Sequence, residues 1–281
     1  MPDGSQSGIE VQEQKEQNSA RIRVLAFMEA STVTGPAKNL IEFARLSAVA
    51  GGDRPGVDLS VATFVRNPDR PNAFVDAVRQ AGIPLHIIRE SSPIDFRAVR
   101  QMKDLVRTLK PDIIQSHNFK AHFLVRFSGL HRKYCWVAFQ HGYTWTDLKN
   151  RIYNQFDRWS LPAADRVVTV CRPFAKHLAG RGVSAERITV QHNSVRPFVS
   201  PSTEQLDSLR RELNIRSSDR VVLTVGRLSR EKGHRDLLEA FPLVKSNSGK
   251  LLLVIVGDGH ERQLLQAQAQ RLGIADRVIV V

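Results

Sequence analysis

Residues 221–233 read Val-Val-Leu-Thr-Val-Gly-Arg-Leu-Ser-Arg-Glu-Lys-Gly, and they are the strongest indication of fold class in the chain. The first five residues are apolar or β-branched, which is typical of a strand in a parallel sheet covered on both faces. Gly226 ends the strand, and Gly233 precedes a predicted helix. Arg227 and Lys232 lie in the turn between them, where the free N–H groups of a helix start also favour an anion. The stretch therefore predicts a strand-turn-helix unit that binds a diphosphate, and the alternative is a basic surface turn.

A second unit of the same kind follows one repeat later. Residues 251–256 are all apolar and predict another buried strand. Gly257 and Gly259 form the turn after it, and residues 261–265 begin a helix. A Gly-Asp-Gly turn is a weak signal by itself, because any tight connection between a strand and a helix can use one. Its position directly after the first motif makes it corroborating evidence.

The two motifs together resemble a known family. The string Gly-Arg-Leu-Ser-x-Glu-Lys-Gly at 226–233 resembles the donor-phosphate motif of the retaining GT-B glycosyltransferases of family 4. Val-Gly-Asp-Gly-x-x-Arg at 256–262 is similar to a second motif of that family. The resemblance covers nearly all of the chain and implies that Arg227 and Lys232 are catalytic, because they hold the diphosphate leaving group. The donor-binding residues that it implies are Gly35, Gly226, Arg227, Lys232, Gly257 and Gly259.

The rest of the chain alternates apolar strand-like segments with helix-period segments, which predicts an α/β fold of two Rossmann-like doubly wound domains of GT-B type. We expect the C-terminal domain to be incomplete, because the chain stops before the Glu-x7-Glu motif of the resembled family. We predict strands at 21–27, 57–64, 84–88, 112–115, 135–139, 166–170 and 187–190, and helices at 40–50 and Phe96–Leu109. The predicted organisation is a disordered polar tail at 1–20, an N-terminal acceptor-side domain at 21–192, a linker at 193–202 and a partial nucleotide-sugar-binding domain at 203–281.

The composition narrows the classes of partner. The formal charge is +13, and the polar tail at 1–20 is itself acidic, so the remainder of the chain is still more basic. A net positive charge of this size favours binding to nucleic acid, to an anionic membrane surface or to phosphorylated substrates. Nucleic acid is not expected, because no RNP, zinc-finger or helix-turn-helix signature is present.

No apolar run reaches the roughly 20 residues that span a bilayer, so we expect a cytoplasmic protein, with a peripheral position on the inner membrane face left open. Cys135 and Cys171 are predicted to be reduced core residues.

Two histidines are candidate site residues in the N-terminal domain. His117 follows the strand at 112–115, at the carboxyl edge of the sheet where ligands bind in open α/β folds. The resemblance implies that His117 helps to position the transferred sugar, which makes it a catalytic candidate. His141 follows the next strand and is predicted to lie on the acceptor side. Lys120 is a further acceptor-side candidate for a phosphate, and the alternative is a lysine that is only solvated.

The loop after the first strand contains Gly35 and Pro36. It lacks the Gly-x-Gly-x-x-Gly fingerprint, which argues against an NAD dehydrogenase. In the resembled family a Gly-Gly pair usually occupies this place and faces the donor, so Gly35 is carried over as a donor-binding residue and Pro36 is not. A purely structural turn at Gly35 is the alternative.

No metal or other cofactor is expected. The histidines between 117 and 141 lack the spacing of a zinc site, and no Asp-x-Asp motif is present.

Residues 117–160 interleave aromatic and basic side chains, a pattern that can dock on acidic lipid. The alternative is that these helices only pack on their sheet.

The sequence therefore predicts a retaining glycosyltransferase of hexosyltransferase type. It would move a sugar from a nucleotide-diphosphate sugar to a glycan or a lipid-linked acceptor. The alternative is a noncatalytic fragment of a split glycosyltransferase that binds a nucleotide sugar or a partner protein.

Overall fold

The structure is a computed structural model that describes residues 21–49, 55–67, 69–92, 95–142, 148–193, 198–245 and 249–281. Contacts within the chain divide it into two compact units, Met1–Val195 and Arg196–Val281, called here the N-terminal and C-terminal units. Among the helices that the structure describes, none combines the length and the apolarity that crossing a bilayer requires.

The N-terminal unit is built on a seven-stranded sheet in the order β3-β2-β1-β4-β5-β6-β7, and neighbouring strands run parallel. This order grows outward from β1 in both directions, as in a doubly wound fold. The predicted α/β class is confirmed. The strands are β1 (Ile22–Phe27), β2 (Val57–Val65), β3 (Leu85–Arg89), β4 (Ile113–Ser116), β5 (Cys135–Gln140), β6 (Arg166–Thr169) and β7 (Ile188–Val190). The helices described in this unit are α1 (Gly35–Val49), α2 (Ala73–Gln80), α3 (Phe96–Leu109), α4 (Phe119–Phe127), α5 (Leu148–Ser160) and α6 (Arg172–Ala179).

Both faces of the central strand β1 are covered. Val24 and Ala26 pack in one core cluster with residues of α1 and α2, whereas Leu25 and Phe27 pack in another with residues of α3 and α4. Successive strand residues point to opposite faces, so an uninterrupted apolar run fits only a strand that is covered twice. Full burial of a leucine such as Leu25 contributes about 1.5–3 kcal/mol.

Helix α1 begins earlier than the sequence predicted. We expected a loop through Gly35 and a helix from residue 40, but the helix starts at Gly35. The backbone N–H of Lys38 donates to the carbonyl oxygen of Thr34 at 2.9 Å, which is already the helical pattern. Pro36 lies in the first turn, where its missing N–H costs no intrahelical bond.

The C-terminal unit has a three-stranded parallel sheet in the order β10-β9-β8. Its core contains residues of two helices together with Leu253 and Ile255 of the central strand. The strands are β8 (Arg220–Val225), β9 (Leu251–Val256) and β10 (Val278–Val280), and the helices are α7 (Thr203–Glu212), α8 (His234–Ala240) and α9 (Arg262–Arg271).

Strand β8 is not buried on both faces, so that part of the prediction was wrong. Val221, Leu223 and Val225 are 46%, 60% and 70% exposed. Among the described strands β8 pairs with β9 alone, and its other edge and one of its faces lie open.

The prediction for Cys135 was also wrong, since this first residue of β5 is exposed and Cys171 is half-buried, although both are free thiols.

Candidate functional site

The first motif forms a turn that is anchored in the core of the C-terminal unit. Leu228 is completely buried, and its backbone N–H donates to the carbonyl oxygen of Asp258 at 2.9 Å. His234 is buried as well, and its Nε2 lies 3.0 Å from the carbonyl oxygen of Arg227. Because a carbonyl oxygen can only accept, this nitrogen carries the proton. This contact of His234 fixes the backbone of Arg227. No sequence motif identifies His234 as a residue with this role.

The two predicted cations of this turn are held on its surface. The Arg227 side chain is 70% exposed and pairs with Glu231 at 3.3 Å. Lys232 is the last residue of a short 3-10 turn, Arg230–Lys232. Its aliphatic side chain lies against Gly226, because a Cβ added at that glycine would be 3.9 Å from Lys232 Cδ. Exposed ion pairs are weak, so a diphosphate can compete with Glu231 for Arg227.

Gly257 and Gly259 are needed where the two turns touch. A Cβ added at Gly257 would lie 1.9 Å from the carbonyl oxygen of Gly226, and one added at Gly259 would lie 2.4 Å from that of Leu228. Real Cβ atoms do not approach backbone so closely, and the φ angles of 154° and 157° add strain for any other residue. These glycines therefore bring the second turn against the first; their contact with a donor stays a prediction.

In the N-terminal unit, His117 and His141 belong to one stack of rings. His117 stacks on Phe139 with a centroid distance of 4.6 Å, and its centroid lies 6.0 Å from that of His141. The Nε2 of His117 lies 3.3 Å from Gln115 Oε1, and its Nδ1 has no hydrogen-bond partner among the described residues. The two predicted histidines, which come from different turns, therefore lie together at the carboxyl edge of the sheet.

Burial keeps these rings neutral. Desolvation, followed by repulsion from His141 and His122, lowers the pKa of His117 well below its ordinary value, and desolvation also lowers the pKa of His141. A neutral imidazole offers one N–H donor and one nitrogen acceptor, which suits a hydrogen bond to a sugar hydroxyl. His117 is therefore suited to positioning a substrate and not to carrying positive charge at neutral pH.

Two cavities border the ring stack, and His117, Phe139 and His141 line both of them. The larger has a volume of about 460 Å³; the smaller has about 250 Å³. Aliphatic and aromatic side chains of the larger cavity include Leu40, Phe43, Val168 and Val170. Polar side chains of the smaller cavity include Glu29, Asn118, Gln140, Asn154 and Asp157. An amphiphilic ligand would find both surfaces beside the histidines.

A buried polar network that the sequence did not reveal supports the His141 turn. Gln140 donates to the carboxylate of Asp157, and its Oε1 accepts from the backbone N–H of Gly142 at 3.1 Å. His122 lies next to Asp157: its Nε2 is 3.8 Å from the carboxylate, and its Nδ1 is 2.6 Å from Ser116 Oγ. Desolvation is the main cause that lowers the pKa of His122 to about 3. Because its members come from different elements, no local pattern predicts this network.

Ser116, His122 and Asp157 do not form a nucleophilic triad. All three are completely buried, so no substrate reaches the Ser116 hydroxyl. Its oxygen also accepts from Trp136 Nε1 at 2.7 Å. Ser116 Oγ is within hydrogen-bond distance of His122 Nδ1 and Trp136 Nε1, whereas His122 Nε2 is buried and has no hydrogen-bond partner among the described residues.

Lys120 is neither solvated nor free for a phosphate in this structure. Only 7% of it is exposed, and its Nζ lies 2.5 Å and 2.6 Å from the two carboxylate oxygens of Glu90 and 3.0 Å from Glu29. Arg66 pairs with the same two carboxylates, at 2.9 Å and 3.1 Å. An ammonium has three N–H donors, and the carboxylates occupy them. Lys120 is therefore an internal ion-pair partner in this structure, and its predicted acceptor-side role stays a prediction.

Gly35 meets no steric demand for glycine. A Cβ added there would have no atom within 4 Å, and its φ is not in the left-handed region. Pro36, which follows it, lines both cavities of the ring stack. The predicted contact of Gly35 with a donor stays a prediction.

Both parts of the chain match known families. Residues 49–197 match Glycosyltransferase Family 4, and residues 206–281 match Glycosyl transferases group 1. This chain belongs to glycosyltransferase family 4. The family resemblance seen in the two turn motifs is thereby confirmed.

Curated relatives of this family 4 chain include an uncharacterised glycosyltransferase from Methanocaldococcus jannaschii. It is 23% identical over 185 residues, which are 60% of this chain and 46% of the relative. An alpha-monoglucosyldiacylglycerol synthase from Streptococcus pneumoniae is 40% identical over 76 residues, which are 27% of this chain and 17% of the relative. The chain spans about half or less of the length of the curated relatives it matches.

Solved structures with the same fold include HepE of Anabaena in complex with UDP and glucose. The TM-score is 0.72 at 19% identity, and the match covers 93% of this chain and 69% of that one. A glycosyltransferase from Rickettsia africae matches with a TM-score of 0.71 at 16% identity, covering 93% of this chain and 68% of that one. These likenesses confirm the predicted GT-B fold.

Proposed function

We propose that this family 4 chain is a retaining glycosyltransferase of hexosyltransferase type, which moves a sugar from a nucleotide-diphosphate sugar to an acceptor. The observation that carries the proposal is the turn after β8, where Arg227 and Lys232 are presented to solvent on a backbone fixed by buried Leu228 and His234. Cations on a preorganised backbone stabilise negative charge with little rearrangement. A departing nucleoside diphosphate is the group that needs such stabilisation.

The donor side of the proposal consists of Gly226, Arg227, Lys232, Gly257 and Gly259. The Anabaena relative of the same fold has been solved in complex with UDP-glucose, which supports a uridine diphosphate sugar as the first donor to test. Arg227 and Lys232 would bind the diphosphate oxygens. The glycines keep side chains away from the backbone that a donor would approach.

The acceptor side of the proposal is the ring stack of His117 and His141. An acceptor that enters the smaller cavity would meet polar groups, and an apolar portion would suit the larger cavity. We propose a glycan or a lipid-linked glycan as acceptor. A cytoplasmic location, peripheral on the inner face of the membrane, belongs to the same proposal, because it brings a lipid-linked acceptor within reach.

In the proposed reaction the bond between the anomeric carbon and the diphosphate oxygen breaks, and a bond to the acceptor oxygen forms on the same face. The acceptor proton passes to the departing phosphate oxygen, so no protein nucleophile is required. Arg227 and Lys232 would neutralise the charge on the leaving group. His117, neutral at physiological pH, would orient the transferred sugar through a hydrogen bond.

A second candidate function is a noncatalytic nucleotide-sugar-binding or partner-binding fragment. The exposed face of β8 favours it, since Val225, which directly precedes the proposed donor turn, is 70% exposed. A chain that binds UDP without transferring sugar would support this alternative.

Substitution of Arg227 tests the proposal. Arg227→Ala should lower kcat/KM at least about 100-fold, the loss seen when one donor to transition-state charge is removed. Arg271→Ala, an exposed arginine on α9 without a described ion pair, is the matched control and should leave turnover unchanged. UDP binding by calorimetry and far-UV circular dichroism should be measured on wild type and both variants. Unchanged turnover in a folded Arg227→Ala variant would refute the assignment.

A further inference from the structure

A continuous cluster of aromatic side chains lies on the outer surface of α3, α4 and α5 in the N-terminal unit. Phe96, Phe127 and Trp159 are 67%, 48% and 47% exposed. Phe123 links them, with ring centroids 5.5 Å from Phe127, 5.8 Å from Trp159 and 4.9 Å from Phe156. Phe96 joins through Phe127 at 5.6 Å. Contiguous exposed apolar surface of this kind marks an interaction site. These aromatic residues are together called the aromatic face.

Cations surround the aromatic face. The guanidinium of Arg126 lies 4.4 Å from the ring centroid of Trp159. On α3, Arg100 and Lys103 follow Phe96 by four and seven positions, which places them on the same side of the helix. Asp104 is the acidic residue of α3, and α4 has none. The surface therefore combines apolar rings with a surplus of positive charge.

We propose that the aromatic face docks on a bilayer that contains anionic lipids. Aromatic rings favour the boundary between lipid headgroups and acyl chains, and arginine and lysine favour an anionic leaflet. A second copy of the chain is a poorer occupant, because the same cations would then face each other across the interface. The formal charge of +13 adds long-range attraction to an anionic membrane.

Helix α4 connects this surface to the ring stack. It begins at Phe119, just after His117, and ends at Phe127 on the aromatic face. The helix is short, with fewer than three turns. A lipid-linked acceptor held in the bilayer would thus lie close enough for its headgroup to reach the histidines. Docking itself does not depend on catalysis, although its use for a lipid-linked acceptor rests on the proposed function.

Sedimentation of the full chain with vesicles tests the proposal. Vesicles of phosphatidylcholine with phosphatidylglycerol should bind the protein, added salt should weaken the binding, and vesicles of phosphatidylcholine alone should bind at least about tenfold less. The variants Phe127→Ala/Trp159→Ala and Phe96→Ser should each lower binding several-fold. Leu46→Ala, which changes a 71% exposed leucine of α1 on the opposite side of the sheet, is the matched control and should bind as wild type.

Three outcomes would overturn the proposal. They are absence of binding to the anionic vesicles, equal binding to both kinds of vesicle, and variants of the aromatic face that bind as well as Leu46→Ala. Sedimentation velocity on the same proteins distinguishes a self-association surface, because Phe96→Ser would then convert a dimer to a monomer. UDP binding should be unchanged in every variant, so a failure of docking can be separated from a failure of the donor assignment.

Discussion

Strand β1 lies in the middle of the seven-stranded sheet, whereas β8 lies at the edge of the three-stranded sheet. Both are short apolar runs, and predicted donor-binding residues follow each of them. Residues 24–27 of β1 are no more than 4% exposed, but Leu223 and Val225 of β8 are 60% and 70% exposed. An apolar run thus specifies a strand, and the number of neighbouring elements decides whether the strand is buried.

The two candidate sites differ in the same way. His117 and His141 line cavities beside the seven-stranded sheet, and burial controls their protonation. The Arg227 and Lys232 side chains lie exposed on a turn in which Leu228 and Ser229 are buried. The N-terminal site is therefore shaped by desolvation, and the C-terminal one by the backbone geometry of two touching turns.

Matched leucine truncations in β1 and β8 give the largest expected difference. Leu25→Ala should lower the free energy of unfolding of the N-terminal unit by about 2–5 kcal/mol, because it leaves a cavity in a closed core. Leu223→Ala should cost less than about 0.5 kcal/mol, as for exposed substitutions. Urea unfolding followed by tryptophan fluorescence reports the N-terminal unit, since all three tryptophans precede residue 160. Hydrogen exchange of β8 peptides reports the other unit.

A large loss of protection in Leu223→Ala would contradict the contrast between the two strands. It would mean that another segment covers this face of β8 in solution. Equal small effects in both variants would instead show that the core around Leu25 closes over the missing side chain.

Matched glycine substitutions give the next largest difference. Gly257→Ala should destabilise the C-terminal unit by about 1–3 kcal/mol, because the new Cβ must displace the Gly226 carbonyl and the φ is unfavourable. Gly35→Ala has open space and should change stability by less than about 1 kcal/mol. Circular dichroism during thermal unfolding measures both. A neutral Gly257→Ala variant would rule out the close contact between the two turns.

A third expected effect is a pH dependence of the N-terminal unit. Histidine in an unfolded chain has a pKa of about 6.5, and burial lowers the pKa of His117, His141 and His122, the last to about 3. Below pH 6.5 the unfolded chain therefore binds protons that the folded unit does not. Stability should fall as the pH decreases from 6.5 to 5, by at most about 1.4 kcal/mol per pH unit for each such histidine.

Urea midpoints by tryptophan fluorescence at several pH values between 5 and 7.5 measure this slope. His122→Gln removes one of the titrating groups and should reduce the slope relative to wild type. A midpoint that is independent of pH over this range would show that the rings are hydrated in solution.

Much of the fold could be predicted from the sequence. The bounds of α3 and β9 agree with the predicted segments, because side-chain periodicity within one element is a local property. The placement of Arg227 and Lys232 between a strand and a helix was also predicted. The start of α1 was missed, since a glycine and a proline in its first turn look like a loop when the chain is read alone.

The candidate site was less predictable where it depends on partners distant in sequence. Lys120 looked like a surface cation, but it pairs with Glu29 and Glu90, which lie far from it along the chain. Gln140 and Asp157 support the His141 turn although nothing in their neighbourhood marks them. Cys135 looked like a core residue because it begins an apolar strand, and its exposure depends on what lies beside the strand end.

The strands, the glycine turns and the family follow from the sequence alone, because backbone preference and side-chain periodicity act over a few neighbouring residues. Which apolar residues are buried and which charges are neutralised depends on the folded arrangement. Burial and ion pairing follow the order of strands in the sheet, which brings residues from separate repeats into contact. For this reason Leu25 and Leu223, alike in sequence, differ in exposure, and Lys120 is an internal ion-pair partner while Arg227 remains open to a ligand.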